Sequence, residues 1–498
     1  MKNSVTLTIP SDFGHFKLIK STAKKLVKPI FKDKRDTKAL LRALKELVEN
    51  AIVHGYKDHG GEIAVTFHPF AYGIRVDVRD WGLPMSSTKH KSVPIKDKAD
   101  EGFNRIYNLT DRFDYVNMGR EGKLFYIVKY AAGALISQEP LLPSLMAEQE
   151  DDEPQKGIEP AADTDILIRP FLPGDEEAIA NLIYKNYGHS YIKDTFYFPQ
   201  KILQYEGEKI LSIVAQTNDE IVGHFALVRM EDSNIAEVGI TVVDPRFKGR
   251  GIMNRMFDAV IEQARTINLD AVFAEAIMYH PFSQKSNLRH AFVETSMQIG
   301  KIPGEVRLKG GDINEKRERG AVLISFRLLK PQQKSVFLPA RYEFMLQKSY
   351  ASFGEITVTV TEKHEKKEEQ HTQLSYIFEP ITNVSTIVIN RYGDDFAHKF
   401  HIMLNHLQGK QCDMIYADIN LESIGEVDKV VAILNRALFF YGGVHPLKHK
   451  NMDYLQLQYK HSHTVGKKNM ICYSEFCDLL HEYVLQDERR VRTFPAGG

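Results

Sequence analysis

Ala236-Glu237-Val238-Gly239-Ile240-Thr241-Val242-Val243-Asp244-Pro245-Arg246-Phe247-Lys248-Gly249-Arg250-Gly251-Ile252 is the stretch whose reading decides the fold. Val238, Ile240 and Val242 alternate with smaller or polar residues, which predicts a strand. Asp244-Pro245 stops it, because proline cannot donate to a ladder. Ile252, Met256, Val260, Ala264 and Ile267 then recur at helical spacing and predict an amphipathic helix. A helix start leaves backbone N–H groups unpaired, with the positive end of the dipole behind them. Gly249 and Gly251 remove Cβ atoms, so that backbone can wrap an anion, and pyrophosphate is the natural guest. Arg246, Lys248 and Arg250 add positive charge. A lone G-x-G also fits an ordinary strand–helix turn. Here the Asp-Pro stop, the basic residues and the amphipathic helix agree with the anion reading.

Arg246 to Gly251 resembles the R/Q-x-x-G-x-G/A signature of the GNAT acyltransferases, with the likeness running over about residues 166–330. The resemblance implies an acetyl-CoA-dependent N-acyltransferase. It implies pantetheine at Val242 and Val243, and CoA pyrophosphate at Arg246, Lys248, Gly249, Arg250, Gly251 and Ile252. It also places Asn287 near the family's later CoA-contacting helix. An acceptor amine with a pKa of ~10.4 needs a base near neutrality. Several family members keep a catalytic Glu where Glu237 stands; a solvent-facing strand position is its competing role. The family's acid is often a Tyr before a Gly-Phe pair. Ala291-Phe292 occupies that place without one, so Tyr279 and His280 are the alternatives and the acid stays unassigned.

Toward the N-terminus, Val5, Leu7 and Ile9 predict a strand. Leu40, Leu44, Leu47 and Ala51 predict a helix from Asp36 to about Val53, with Asp36 or Thr37 as its cap. Glu46, Asn50 and His54, four residues apart, fall on one stripe of that helix. Strands over 62–68 and 73–78 lead into Asp80-Trp81-Gly82. An amide oxygen can ligate Mg²⁺, and a carboxylate one turn earlier can orient or deprotonate a nucleophile. An Asp at a strand end can accept from an adenine amino group, and a nearby Gly admits the ring. Taken singly, these residues are what a wet helix face and a turn present.

In order, Glu46 to Tyr56 followed by Asp80-Trp81-Gly82 resembles the ATPase domain of histidine kinases and gyrase-like proteins, most of all the anti-sigma-factor serine kinases, over about residues 1–132. The resemblance implies ATP and Mg²⁺ as ligands, Asn50 on the metal, Glu46 as the base-like residue, and Asp80 with Gly82 at adenine. The family's Gly-rich lid is represented only by Asp100-Glu101-Gly102-Phe103-Asn104-Arg105, a departure that leaves Gly102 as its single glycine.

The other segments set boundaries. A length of 498 residues predicts about three domains. Gln138 to Asp165 is acidic, proline-containing and poor in large apolar residues, which reads as a flexible linker. The predicted organisation is α+β and multidomain: an α/β-sandwich ATPase domain at 1–135, a linker at 136–165, a GNAT fold at 166–330 and a degenerate GNAT-like α/β domain at 331–498. In the last unit, a strand over 412–421, a helix over 426–440 and a strand over 454–459 repeat the order of an acyltransferase's closing half without the basic glycine loop. His445, His449, His461 and His463 read there as surface histidines. With 65 basic and 65 acidic residues, net charge gives no case for nucleic acid or an anionic membrane. Three scattered cysteines, no long apolar run and no signal-like N-terminus predict a cytoplasmic protein.

Three functions compete: an acyltransferase regulated by a tethered nucleotide-binding domain, a regulatory protein that captures a protein partner and senses CoA without turnover, and a serine protein kinase. The acceptor amine is not legible in the residues.

Overall fold

The structure is a computed structural model that describes residues 4–56, 60–84, 98–131, 165–218, 220–304, 318–354, 356–361, 371–461 and 470–493. The linker expected at 136–165 therefore lies, but for Asp165, outside the described residues.

The N-terminal part runs β1 (Val5–Pro10), α1 (Phe16–Val27), α2 (Lys34–Asn50), β2 (Glu62–Phe70), β3 (Gly73–Asp80), α3 (Lys98–Leu109), β4 (Arg112–Asn117) and β5 (Lys123–Tyr130). Its strands form an antiparallel sheet in the order β1-β2-β3-β5-β4. Leu40, Ala43, Leu44, Leu47 and Val48 of α2 pack with Ile19 and Ala23 of α1 on Val65, Phe67, Val76 and Val78 of the sheet. This is a helix layer on a sheet, each burying its apolar side against the other.

Two local expectations change. The α2 cap is Asp33, whose carboxylate accepts from Arg35 N at 2.7 Å and Arg35 Nε at 2.9 Å, so the helix starts before Asp36. After Asn50 the helix widens into a π turn over Ala51–Tyr56. The extra residue rotates the end of the helix, so Gly55 is buried and His54 is exposed. His54 thus leaves the stripe that carries Glu46 and Asn50.

The central part runs β6 (Leu167–Pro170), α4 (Glu176–Tyr187), α5 (Pro199–Tyr205), β7 (Ile210–Thr217), β8 (Glu220–Arg229), β9 (Ile235–Val243), α6 (Ile252–Thr266), β10 (Ala271–Ile277), α7 (Phe282–Arg289), β11 (Val293–Ile302) and β12 (Gly320–Leu328). The C-terminal part continues with β13 (Gln332–Val336), α8 (Glu343–Ala351), β14 (Ile356–Val360), β15 (Gln373–Glu379), β16 (Val384–Arg391), α9 (Phe396–Gly409), β17 (Met414–Asn420), α10 (Val427–Arg436), β18 (Phe440–His449), β19 (Met452–Lys460) and α11 (Glu475–Thr493). Twelve of these strands form one sheet, ordered β15-β16-β17-β19-β18-β11-β12-β10-β9-β8-β7-β6.

That order contains one pattern twice. β8-β9-β10-β12-β11 and β15-β16-β17-β19-β18 share strand sequence, direction and connecting helices: the second and third strands are parallel and the rest antiparallel. The two copies meet at β11 and β18, where Ser296 pairs with Gly443. Gly443 has φ +137°, and a Cβ there would stand 2.3 Å from Thr295 O, so only glycine allows the approach. Buried amides close the seam: Gln298 Nε2 donates to Gln456 Oε1 at 2.8 Å, and Ile299 N donates to Gln458 Oε1 at 2.9 Å.

The seam explains a correction. His445 and His449, expected at the surface, are buried. β18 is an inner strand, and His445 Nε2 lies 2.9 Å from Ser296 Oγ. Burial holds the His445 imidazole well below its usual pKa. His449 lies 3.2 Å from Asp418 Oδ2. His461 is exposed, and His463 falls outside the described residues.

Candidate functional site

The strand, glycine loop and helix expected at 236–252 are β9, a short 3₁₀ turn at Pro245–Phe247, and α6. Ile252, Met256, Val260 and Ala264 bury the apolar face of α6 against Val222, Leu227 and Val238, which fixes the helix start above the end of β9. Gly249 (φ +82°) and Gly251 (φ +71°) both have left-handed backbone, and a Cβ at either would meet nothing within 4 Å. The corner is therefore open, with Gly251 at the N-cap of α6 and no side chain capping it. Its unpaired amides and exposed Lys248 fit a pyrophosphate. Arg250 lies over the Phe247 ring at 5.2 Å, and Ile252 is buried beneath the turn.

Arg246 is placed differently. Its guanidinium is bound by Asp244, at 3.0 and 2.9 Å, and by Glu220. Burial pushes the Asp244 carboxyl up, but the Arg246 and Lys185 hydrogen bonds outweigh it and hold the pKa at about 2. Arg246 thus braces the turn through a neutralised pair rather than presenting charge to the corner.

Alongside the corner, β9 and β10 part. They pair in parallel from Ile235↔Ala271 to Val238↔Ala274 and no further. On the other side, the β8–β9 register shifts between His224 and Ala226, giving a bulge at Ile240. Ile240 has φ +57°, a strained value for a β-branched residue. His224 supports it. Its Nδ1 lies 3.0 Å from Ile240 O and its Nε2 3.0 Å from Ser212 Oγ. A carbonyl can only accept, so Nδ1 carries the proton and Nε2 accepts from the serine. Burial lowers the His224 pKa to about 4. Gly239 to Val243, about 13 Å of strand, is thereby left without a partner on its β10 side among the described residues. Val242 is buried and Val243 half-buried on this edge.

Glu237 stands at the head of that edge. A Cβ on Gly239 would lie 2.9 Å from Glu237 Oε1, so the carboxylate folds over Gly239. It is not simply facing solvent, because Lys193 Nζ donates to both its oxygens, at 2.6 and 2.5 Å. Glu275, one residue past the last β9–β10 pair, binds Lys301 Nζ at 2.8 Å. Burial pushes Glu275 up, yet the Lys301 and Lys193 charges hold it below the usual carboxylate range. Lys193 and Glu275 stand at this edge, and no motif in the sequence marks either. Asn287 is buried on α7, whose Gln284 donates to Ile471 O at 2.7 Å and accepts from Tyr473 N at 3.0 Å.

The second copy lacks both features. β16 and β17 pair without parting, from Val384↔Met414 to Ile389↔Ile419. The corresponding corner reads Tyr392-Gly393-Asp394-Asp395. Asp395 there takes Thr372 N at 3.2 Å and Lys399 at 2.7 Å. An acidic helix start repels a diphosphate.

In the N-terminal part, Asp80 ends β3, fully buried. Its Oδ1 accepts from Gly82 N at 2.9 Å and lies 3.0 Å from Lys123 Nζ. Its Oδ2 is buried with no partner. A buried acceptor without a donor costs free energy, which a donor such as an exocyclic amine would recover. Gly82 sits against Gly55: a Cβ on it would be 2.4 Å from Gly55 O, so no other residue fits. One helical turn apart on α2, Asn50 has a buried Nδ2 without a partner, and Glu46 lies 3.4 Å from Arg105. A Cβ at Gly102 of α3 would stand 3.5 Å from the Asn50 amide and 3.8 Å from Glu46 Oε2. The structure thus gathers Glu46, Asn50 and Gly102 in one place. Residues 85–97, between Asp80-Trp81-Gly82 and α3, lie outside the described residues.

The two regions touch through residues 188–198. His189 Nε2 lies 2.6 Å from Trp81 O, between Asp80 and Gly82. Arg120 Nε donates to His189 O at 3.2 Å, Arg120 N to Asp194 Oδ1 at 3.1 Å, and Asn117 Nδ2 to Tyr197 O at 3.0 Å. Gly119 (φ +59°) allows this contact, since its Cβ would fall 2.4 Å from Asp194 Oδ1.

Two family models match separate segments of the chain. Residues 9–129 match the family model of the histidine kinase-like ATPase domain, and residues 177–285 that of the acetyltransferase (GNAT) family. Among solved structures, the chain is similar to the ribosomal-protein-S18-alanine N-acetyltransferase of Escherichia coli, at 12% identity and a TM-score of 0.27, covering 33% of this chain and 94% of that one. It is also similar to a Bacillus subtilis acetyltransferase in complex with CoA, at 15% identity and a TM-score of 0.26, covering 33% of this chain and 99% of that one. No curated protein matches the sequence. The chain thus joins a segment, residues 9–129, that matches the histidine kinase-like ATPase domain and carries the orphaned Asp80, to a segment, residues 177–285, that matches the acetyltransferase (GNAT) family and carries the parted sheet and the open glycine corner.

Proposed function

We propose that the chain is an N-acetyltransferase that takes acetyl-CoA as donor and an amine as acceptor, under control of nucleotide bound by its N-terminal domain. The observation that carries it is the unpaired edge Gly239–Val243 running up to the open corner at Gly249 and Gly251. Loop amides and Lys248 bind the pyrophosphate, and the free edge of β9 pairs with the pantetheine arm, which brings the thioester back to Gly239. Glu237, folded over Gly239, accepts a proton from the acceptor ammonium. The neutral amine then attacks the carbonyl, and the thiolate leaves. At the nucleotide site Asp80 Oδ2 accepts from the adenine amino group, and Gly82, which alone tolerates the close Gly55 backbone, donates its N–H to Asp80 Oδ1 and keeps the carboxylate aimed at the base. Asn50 offers an amide oxygen to Mg²⁺ beside the phosphates, which supply the remaining hard oxygens with water. Control comes through Trp81: a base seated on Asp80 presses on the carbonyl that His189 holds, in the same segment as Lys193.

Titration calorimetry of acetyl-CoA and ATP against the wild type and Gly249→Glu tests this. The charged side chain should lower CoA affinity at least tenfold by repelling the diphosphate and straining a left-handed position, while ATP binding persists and reports a folded chain. Unchanged CoA affinity refutes the site.

A second reading, a regulatory protein that binds CoA without turnover and a protein partner at its ATPase-like domain, is favoured by the grip of Lys193 on Glu237. Acetyl-CoA binding with no consumption across an amine panel would select it.

A further inference from the structure

Lys193 is the chain's own primary amine, and it lies where an acceptor's amine belongs. Its ammonium touches both oxygens of Glu237, at 2.6 and 2.5 Å, and Glu237 lies over Gly239 at the head of the unpaired edge. Lys193 is not a loose surface side chain. It is about one quarter exposed, and its backbone is the N-cap of the 3₁₀ turn Asp194–Tyr197. That turn is pinned by Arg120 N on Asp194 Oδ1 and by Asn117 Nδ2 on Tyr197 O. Five residues earlier the same segment is tied by Tyr197 Oη, which donates to Gly188 O at 2.6 Å. The amine is therefore held in place before any donor arrives, which is the entropic condition for fast intramolecular transfer.

We propose that Lys193 is a self-acetylation site, modified in cis by acetyl-CoA bound at the glycine corner of the same chain. The inference rests on the acyltransferase reading above. In the step, Glu237 takes one proton from the Lys193 ammonium. The freed Nζ attacks the thioester carbonyl, a C–N bond forms, the C–S bond breaks, and the thiolate leaves with the bonding pair. The proton held by Glu237 passes to the thiolate, and the second proton, lost from Nζ as the C–N bond forms, passes to water. The products are Nε-acetyl-Lys193, CoA and, at the pH where CoA is a thiol, one net proton from the ammonium. The reaction removes the charge that neutralises Glu237 and breaks the ion pair, leaving the carboxylate to an external amine.

The full-length chain is incubated with acetyl-CoA, digested, and the acetyl occupancy of each lysine followed by mass spectrometry. Exposed Lys25 and Lys45 give the background of uncatalysed acetylation. Lys193 should be modified at least tenfold faster than these, at a rate independent of protein concentration, and Gly249→Glu should bring it to background while still binding ATP. The wild type should show a lag in acetylating an external polyamine that pre-incubation with acetyl-CoA abolishes. Lys193→Gln, which removes the charge without an acceptor, should show no lag. Lys193 at background while the polyamine is acetylated overturns the proposal and leaves the acyltransferase reading standing. A rate that rises with protein concentration overturns the cis arrangement. Absence of both acetyl-CoA binding and acetylation overturns the proposal together with the reading beneath it.

Discussion

His224 sets a pH limit on the parted sheet. The imidazole is wholly buried between β8, β9 and β7, donating from Nδ1 to the strained Ile240 carbonyl and accepting from Ser212 at Nε2. Burial is the largest influence on it, and the hydrogen bond to Ile240 with the distant Asp175 charge only partly opposes it. The perturbation is acidification. An unfolded histidine titrates near 6.5 and this one near about 4, so between those values the unfolded chain binds the extra proton. Stability from His224 is therefore fully present above about pH 6.5 and is lost as pH falls toward about 4. The fall from 6.5 to about 4 corresponds to about 3 kcal/mol at about 1.4 kcal/mol per pH decade. By about pH 5 roughly 2 kcal/mol of this is gone. Global unfolding of a multidomain chain is not two-state, so the assay must be local. Hydrogen exchange of peptides from β8 and β9, corrected for intrinsic chemistry, should show protection falling about thirtyfold between about pH 7.5 and about pH 5. His224→Gln keeps a donor for Ile240 but does not titrate, and its protection should stay flat over the same range. Equal losses in wild type and variant would refute the assignment of this pH dependence to His224.

Asp80→Asn should abolish ATP binding, because an amide nitrogen in place of Oδ2 donates where the base needs an acceptor, and it leaves Lys123 buried without its counter-ion; that loss should also lower the stability of the N-terminal domain by about 3 kcal/mol, read by calorimetry and exchange of β3 peptides. Gly119→Val should separate the two domains' behaviour, since its side chain collides with Asp194 and Phe198; nucleotide should still bind, and its effect on acetyl transfer should vanish in a coupled CoA-release assay. Gly443→Ala should open the seam between the copies, at a cost of about 2–3 kcal/mol, seen as faster exchange in β11 and β18.

Much of the local geometry was legible in the residues. Glycines at 249 and 251 mark a corner because only glycine occupies left-handed backbone without strain, whereas Gly82 answers to a close approach, the Gly55 backbone leaving no space for a Cβ. Other features were not legible, because they depend on which partner a side chain finds. Arg246 looks like an anion ligand until Asp244 and Glu220 are seen to hold it. His54 looks aligned with Asn50 until the π turn displaces it by one residue. His445 looks like a surface residue until β18 proves to be an inner strand.

By itself, then, the sequence determined the local geometry: where strands stop, where the chain needs glycine, which helix faces are apolar, and hence which two families the segments resemble. Tertiary structure alone decided the relations between segments. It parted β9 from β10 while keeping β16 against β17, placed Lys193 on Glu237 across 44 residues, and set His189 on the carbonyl of Trp81 across 108. The physical reason is range. Backbone preference and periodicity act over a few residues, whereas an ion pair or a parted sheet is fixed only when distant surfaces pack and bury their groups together.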